Sequence, residues 1–514
     1  VELRILKNRA LLIACSVIAL SGCGMISKQD AAAEATAEWS DAASVSPEAL
    51  KAAVKDEEVR RFYEARQWAA AWDKDHAAQL TGAISQAQQH ALEHIAFLPK
   101  SAPQDATARE IALSSAALNY AKALSHGVVN PNKLWEVYTL PVPSLDLAGG
   151  LNAAVQQGKV GEWLESLAPQ TEEYKALSAA YVEQLKNLSA APAISGGDTI
   201  KVGQSDPRVP ALTAALQANG YLPDKLPKAE KPQLYTQAIA GAVKGLQANY
   251  GIKDDGVVGP ETLQVLNTGP ADRARQLAVN LERRRWLDRN PPATRIDVNT
   301  AATFLEYWRN GSLRDKRRVV VGQPDWETPQ LLSPIVQLVA NPTWNVPKSI
   351  EEKELAPKGD AYLAANHIVR KNGRLVQESG PDNSLGLVKF DMKNDHAIYL
   401  HDTPAKALFG ANERHRSHGC IRVDDAVGFA EMLAGDDGVL PKFQEAETGE
   451  DESFVAMKTP VPVRLLYHTA YLDDGGTLRL QTDAYGWDDD VANALQLPQR
   501  TRRVLRTKGG DVGP

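Results

Sequence analysis

Apolar residues recur at helical spacing from Glu57 to Leu188. Val59, Phe62, Tyr63 and the run Ala65 to Trp68 open the pattern, and Ala112, Leu113, Ala116, Ala117 and Tyr120 repeat the i, i+3, i+4 interval of a helix with one buried face. The stretches LPKSAPQDA, GVVNPNK and LPVPSLDLAGG interrupt it with helix breakers, so residues 57–195 predict an all-α scaffold of several helices. GGDTIKV, 196–202, reads as a hinge. Beyond it, VPALTAALQANGYL and LYTQAIAGAVKGLQANYGIKDDGVVGPETLQVLN each carry an amphipathic helix ended by Gly, and a last short helix opens at Pro260. Residues 203–270 therefore predict a small three-helix domain, and 271–290 a helix that rejoins the scaffold. Near residue 290 the pattern changes. TRIDVNTAATFLEYW, KRRVVVGQ, IVQLVANPTWNVP, LVKFDMK and AIYLHD are β-branched or alternating and bounded by Gly, Pro and Asn. Residues 291–470 thus predict a mostly β domain, followed by a C-terminal extension, 471–514. Within it, about 347–383 is charged and poor in strand pattern, as expected of a lid. The expected class is an α+β multidomain protein.

The N-terminus has a different logic. Arg4, Lys7 and Arg9 precede the apolar run Ala10 to Leu20, too short to span a bilayer and shaped like a secretion signal. Its end, Leu20-Ser21-Gly22-Cys23, resembles a bacterial lipobox, which implies a lipoprotein signal peptide over 1–23, lipidation of Cys23 and a periplasmic chain anchored to the outer membrane. Residues 24–56 are small, polar and acidic, without an apolar period, and are expected to be a disordered tether.

Of the chain's 3 cysteines, Cys15 leaves with such a signal and Cys23 carries lipid, leaving Cys420 as a lone thiol in an oxidising compartment. A length of 514 residues allows roughly three domains of about 150 residues, and the net charge of −7 argues against a nucleic-acid partner. The basic stretch from Arg283-Arg284-Arg285 to Arg318 is expected to be mainly a solvated domain junction.

Cys420 lies in RHRSHGCIRVDDA, among charges and directly after a glycine. An acyl-transfer nucleophile needs a base, donors for the developing oxyanion and a group to orient the base. Gly419 lets backbone amides approach a carbonyl oxygen, and Asp424 is the expected cap of the helix DDAVGFAEML, whose N-terminus would favour the thiolate. His401, His415 and His418 are all near in sequence, and spacing does not choose among them. His418 would share the face of Cys420 in an extended chain, unless a turn at Gly419 broke the parity. His90 and His94, at i, i+4, lack further ligands at zinc-like spacing and are expected to be surface histidines.

The stretch IYLHDTPAKALFGANERHRSHGCIRVDDA closely resembles the active-site signature of L,D-transpeptidases, cysteine enzymes of peptidoglycan, in particular the large periplasmic branch. FYEARQWAAAW, NLERRRWL, VVVGQPDWETP, NPTWNVPKSI, NSLGLVKF and YLDDGGTLRLQTDAYGWD extend the likeness over nearly the whole chain after the tether. Ala242 to Gln247, Gly251, Asp255 to Gly259 and Thr262 to Asn267 resemble the small three-helix peptidoglycan-binding domain, with Leu246 where Phe is usual.

The resemblance implies Cys420 as nucleophile and His401 as base, oriented by the carbonyl of Asp402. It implies an oxyanion hole from the Gly419 and Cys420 amides, and substrate contacts from Tyr399, His418, Arg422, Ser417 and Trp344. Arg285 replaces a common Trp, and NSLG replaces NALG. The implied reaction needs no cofactor and no metal. Cys420, as a thiolate paired with His401, attacks the third residue's carbonyl of a stem tetrapeptide, expels D-alanine and passes the acyl group to an amine, forming a 3→3 crosslink. Carbapenems should acylate the same thiol. Stem peptides, a membrane through the lipid anchor and other cell-wall synthesis proteins are the expected partners. Two rival readings are a zinc-dependent peptidoglycan peptidase using His401, His415, His418 and an Asp, and a non-catalytic wall-binding lipoprotein.

Overall fold

The computed structural model describes residue 39, residues 45–186, 188, 193–223, 225 and 230–500. The expected signal peptide, Cys15 and Cys23 lie outside the described residues. Among the described residues no helix is long and apolar enough to cross a membrane.

The scaffold helices begin where the sequence supplies a side-chain acceptor for an otherwise unpaired amide. Asp56, Asp73, Asp105, Asp146 and Thr171 cap helices Glu57–Ala65, Lys74–Ser85, Ala106–His126, Leu147–Gln157 and Glu172–Leu185, each accepting from the backbone N–H three residues on. A further helix, Pro47–Ala53, capped by Ser46, lies inside the stretch expected to be tether. Its Leu50 is fully buried, along with Val54 just beyond it, so the scaffold core starts earlier than the polar composition of 24–56 indicated.

In the small domain, helices Val209–Ala218, Gln237–Asn249 and Pro260–Leu266 pack around Val209, Leu212, Val243 and Leu246. Ile200, in the stretch read as a hinge, is buried and bridges to Val258, so that stretch is partly built into the domain. The buried Gln247 amide donates to Val257 O and Thr262 Oγ1 and accepts from Gly256 N, which shapes the turn before the last helix.

Helix Pro270–Arg285 packs against the Glu172–Leu185 and Ala106–His126 helices on one side and the C-terminal helix Trp487–Ala494 on the other. Residues 272–285 are all buried. This corrects the expectation of a solvated basic junction for Arg283 to Arg285, whereas Arg314 and Arg318 at the far end of the stretch are exposed. Arg283 pairs with Asp488, Arg284 makes two 2.8 Å bonds to Glu173, and Arg285 reaches Glu282 at 2.5 Å. Carboxylates from distant elements, for Arg283 and Arg284, and from the same helix, for Arg285, make burial of the three guanidiniums tolerable.

The strands are β1 (Arg295–Asn299), β2 (Phe304–Arg309), β3 (Ser312–Gly322), β4 (Leu332–Ala340), β5 (Trp344–Asn345), β6 (Ile368–Lys371), β7 (Arg374–Gln377), β8 (Val388–Met392), β9 (Leu400–His401), β10 (His415–Ser417), β11 (Ile421–Val423), β12 (Ser453–Leu466), β13 (Ala470–Leu472) and β14 (Leu478–Leu480). Nine form one sheet in the order β10-β3-β11-β9-β8-β4-β12-β1-β2, and β3 also pairs with β2, so the sheet closes on itself. Alternate residues, among them Val388, Phe390, Leu400, Ile421 and Val423, enter a core with Phe429 and Leu433 of helix Ala426–Asp437. That helix is capped by Asp425 rather than the expected Asp424, which instead bonds Arg318.

The region expected to be a strand-poor lid holds the hairpin β6–β7, which joins β5 in a three-stranded sheet. Asn372 and Gly373 both have positive φ (51° and 79°) and close the two-residue turn. Trp344, Ile350, Leu355, Leu363, Ile368 and Leu375 form its separate core, against which Tyr399 packs.

Candidate active site around Cys420

β9 and β11 run parallel, with Leu400 opposite Ile421 and His401 opposite Arg422. Leu400 and Ile421 turn into the core. By alternation, Tyr399 and His401 on one chain, and Cys420 and Arg422 on the other, share the opposite face. Lys389 of β8 lies across from His401 on its other side. A nonlocal strand pairing thus builds a patch of thiol, imidazole, phenol and two cations.

His401 is fully buried. Its Nδ1 lies 2.5 Å from the carbonyl of Asp402, which makes Nδ1 the protonated nitrogen and leaves Nε2 as the acceptor. Nε2 is buried with no hydrogen-bond partner among the described residues. Burial first, and the Arg422 charge second, depress the imidazole to about 3. The Asp402 carbonyl is itself fixed. Asp402 N–H donates to Val388 O at 2.9 Å, and its carboxylate accepts from Leu387 N–H at 3.0 Å and pairs with Lys406. The same carboxylate packs against Gly386, where an added Cβ would stand 2.3 Å from Oδ2. The glycine of the NSLG motif is therefore required by the packing of Asp402, whose carbonyl holds His401 Nδ1.

Cys420 is half-buried, its Sγ 3.6 Å from the carbonyl of Ala397. Burial pushes the thiol up, opposed by the backbone and hydroxyl of Tyr399 and by Lys389 and Arg422. Tyr399 touches both partners of the pair: its hydroxyl bonds to Cys420, and its ring meets the His401 ring edge-on at 5.6 Å.

Several expected roles change. Gly419 has φ +110°, a conformation that favours glycine, and the chain reverses there, so β10 and β11 are separate strands and His418 does not share the face of Cys420. The Gly419 N–H donates to Ser417 Oγ at 3.1 Å, and that hydroxyl donates to Cys420 O at 2.6 Å. Gly419 N–H is thus spent inside the loop instead of facing an oxyanion, and fully buried Ser417 holds the loop instead of touching substrate. Trp344 and Arg422 are also buried, 2% and 1% exposed. Trp344 acts through a bond to the Tyr399 hydroxyl, and Arg422 through its charge beside His401.

His418 Nε2 lies 2.6 Å from Glu354 of the lid, and the His418 ring meets Trp326 at 5.0 Å. His415 bonds Glu413 at 2.6 Å and Thr300 O at 3.0 Å. His401, His415 and His418 are therefore not gathered into a ligand set, and among the described residues no three His, Cys, Asp or Glu side chains could hold a metal together. His90, expected at the surface, is partly buried under Arg285, its Nδ1 3.1 Å from Tyr174 OH. Sequence reasoning missed Glu354, Trp326 and Lys389. Trp326 stands in the quoted VVVGQPDWETP, but no local pattern ties it to His418.

Residues 293–463 match the family model described as "L,D-transpeptidase catalytic domain". Residues 57–180 match "Scaffold domain" and 205–266 "Putative peptidoglycan binding domain". Residues 293–463 are thus similar to an L,D-transpeptidase catalytic domain. Over 220 residues the chain is 31% identical to a Haemophilus influenzae protein named "Putative L,D-transpeptidase", covering 38% of this chain and 45% of that relative. The chain thus matches under half the length of that relative. Solved structures similar to it include an Enterococcus faecium L,D-transpeptidase in a cysteine-to-serine form (12% identity, 34% of this chain, 50% of that one, TM-score 0.18). Another is a Xylanimonas cellulosilytica L,D-transpeptidase (15% identity, 53% and 98% coverage, TM-score 0.16). Within the matched residues the quoted signature spans β9 to β11, and the hairpin β6–β7 is inserted between β5 and β8.

Proposed function

We propose that this protein is a peptidoglycan L,D-transpeptidase in which Cys420 is the nucleophile and His401 the base. The observation that carries the reading is the buried, unpartnered Nε2 of His401, whose other nitrogen is tied to the Asp402 carbonyl, on the same face as a half-buried thiol. The resting pair is a thiol and a neutral imidazole instead of the thiolate pair first expected. Burial raises one group and lowers the other, so charge separation waits for substrate.

In the first step the thiol proton passes to His401 Nε2 while Sγ bonds to the carbonyl carbon of the third stem residue, and the oxygen becomes an oxyanion. Collapse of that intermediate breaks the C–N bond to the terminal D-alanine, whose amine takes the proton from Nε2. The thioester is then attacked by an acceptor amine. Its proton goes to His401 and on to Sγ as the C–S bond breaks, which restores the thiol. Attack by a neighbouring stem's side-chain amine would make the 3→3 crosslink. The match of residues 205–266 supports wall binding by the small domain, and with it a periplasmic location. Anchoring through Cys23 belongs to the same reading and is tested by palmitate labelling of the wild type and Cys23→Ala.

Intact-mass measurement after carbapenem treatment should show a covalent adduct on the wild type and none on Cys420→Ala, and only the wild type should release D-alanine from tetrapeptide sacculi. An adduct on Cys420→Ala would remove the nucleophile assignment. Sacculus binding without adduct or D-alanine release would favour a non-catalytic wall protein.

A further inference from the structure

The loop carrying Cys420 is held from behind by residues that contact neither Cys420 Sγ nor His401. Thr328 is fully buried beyond the end of β3. Its hydroxyl accepts from Gly322 N–H at 2.9 Å and donates to the carbonyl of Gly419 at 2.8 Å. Gly322 allows this approach: a Cβ there would stand 2.0 Å from Trp326 O and 2.7 Å from Thr328 N. A second clamp comes from the C-terminal extension. The Tyr485 hydroxyl donates to Gly322 O at 2.7 Å and accepts from Thr328 N–H at 3.3 Å. Tyr485 is fixed in turn, with its ring stacked on Tyr467 at 5.1 Å and its N–H bonded to the Tyr467 hydroxyl at 3.0 Å.

The Gly419 carbonyl and the Cys420 N–H belong to one planar trans peptide and point in opposite directions. A hydroxyl that holds the carbonyl therefore aims the N–H. That N–H makes no hydrogen bond within the described residues, whereas the Gly419 N–H is taken by Ser417. With φ of +110° at Gly419, this peptide could otherwise turn easily.

We propose that Thr328, clamped by Tyr485, is the positioning residue that presents the Cys420 N–H to the oxyanion, which makes the C-terminal extension part of the catalytic apparatus. The proposal rests on the acyl-transfer reading. It requires that loss of the Thr328 hydroxyl slow steps that form an oxyanion and spare those that do not. Displacement of iodide by the same sulfur is such a control.

The test compares full-length wild type with Thr328→Val, Thr328→Ser and Tyr485→Phe by two rates: acylation by a chromogenic cephalosporin, and alkylation of Cys420 by iodoacetamide. Thr328→Val should acylate about 10- to 100-fold more slowly, the range for a misaimed donor, with alkylation unchanged. Thr328→Ser should recover most of the acylation rate, and Tyr485→Phe should lose severalfold. If Thr328→Val unfolds, its thiol will alkylate faster than the wild type, and the serine and phenylalanine variants then decide. Wild-type acylation in Thr328→Val, equal acylation losses in the serine and valine variants, a parallel fall in alkylation, or an unchanged Tyr485→Phe would overturn the positioning role. A wild type that alkylates but never acylates would instead sink the parent reading and this proposal with it.

Discussion

Two regions of this molecule bury polar side chains, and they differ in how they leave them. Along helix Pro270–Arg285 every arginine of the 283–285 run meets a carboxylate, and Glu282 accepts from Val128 N–H, Val129 N–H, Trp286 Nε1 and Arg285. Beside Cys420, the His401 Nε2 and the Cys420 N–H have no hydrogen-bond partner among the described residues. The difference is one of charge: each guanidinium of the helix meets an opposite charge although Arg283 Nε and Nη2, Arg284 Nη1 and Arg285 Nε have no partner among the described residues, whereas the unpartnered Nε2 beside Cys420 belongs to a neutral ring whose other nitrogen is fixed.

The contrast breaks if the two regions respond alike to mutation. His401→Gln should lower acylation about 10²- to 10⁴-fold, the range for loss of a general base, with the melting temperature nearly unchanged. A rate loss no greater than that of His418→Gln would reassign the base. Glu282→Ala should do the reverse. It strands the Arg285 guanidinium and three other donors, so we expect about 3–5 kcal/mol of lost stability in denaturant melts, while each folded molecule acylates normally.

The pH dependence sharpens the comparison. The folded value of His401, about 3, lies below its ordinary 6.5, so the imidazole stays neutral as pH falls through 6.5 and the acylation rate should show no inflection there. An inflection near 6.5 would mean that the imidazole is not held neutral by burial. The folded state binds fewer protons than the unfolded one between about 3 and 6.5. His401 therefore adds to the loss of stability as pH drops through that window, and His401→Gln should flatten the slope. The smallest effect is expected at the lid turn. Gly373→Ala, at φ +79°, should cost about 1 kcal/mol, read as faster hydrogen exchange in β6 and β7 with the barrel unaffected.

Much of the site could be read directly from the chain. The lone thiol and its glycine stand in one short stretch, whereas His401 and the Asp402 carbonyl were implied only by the family resemblance. The arginine run was misread because its partners are remote: Arg284 pairs with Glu173, 111 positions away, and Arg283 with Asp488, 205 away. A run of charge looks solvated until its counterions are located. The lid hairpin was overlooked although KNGR between Ile368 and Val376 carries an Asn-Gly turn signal, because the charged surroundings masked its short alternation.

What the chain determined alone was local: helix caps at Asp56, Asp73, Asp105, Asp146 and Thr171, the period change near 290, and a thiol after a glycine. These depend on neighbours within a few residues, whose contacts cost little loop entropy to form. The tertiary structure decided which histidine shares a sheet face with Cys420, because that depends on the parallel register of β9 with β11. It also decided that Ser417 spends the Gly419 amide, and that Thr328 and Tyr485 aim the next one. A hydrogen bond from residue 328 to residue 419 exists only once the sheet has closed.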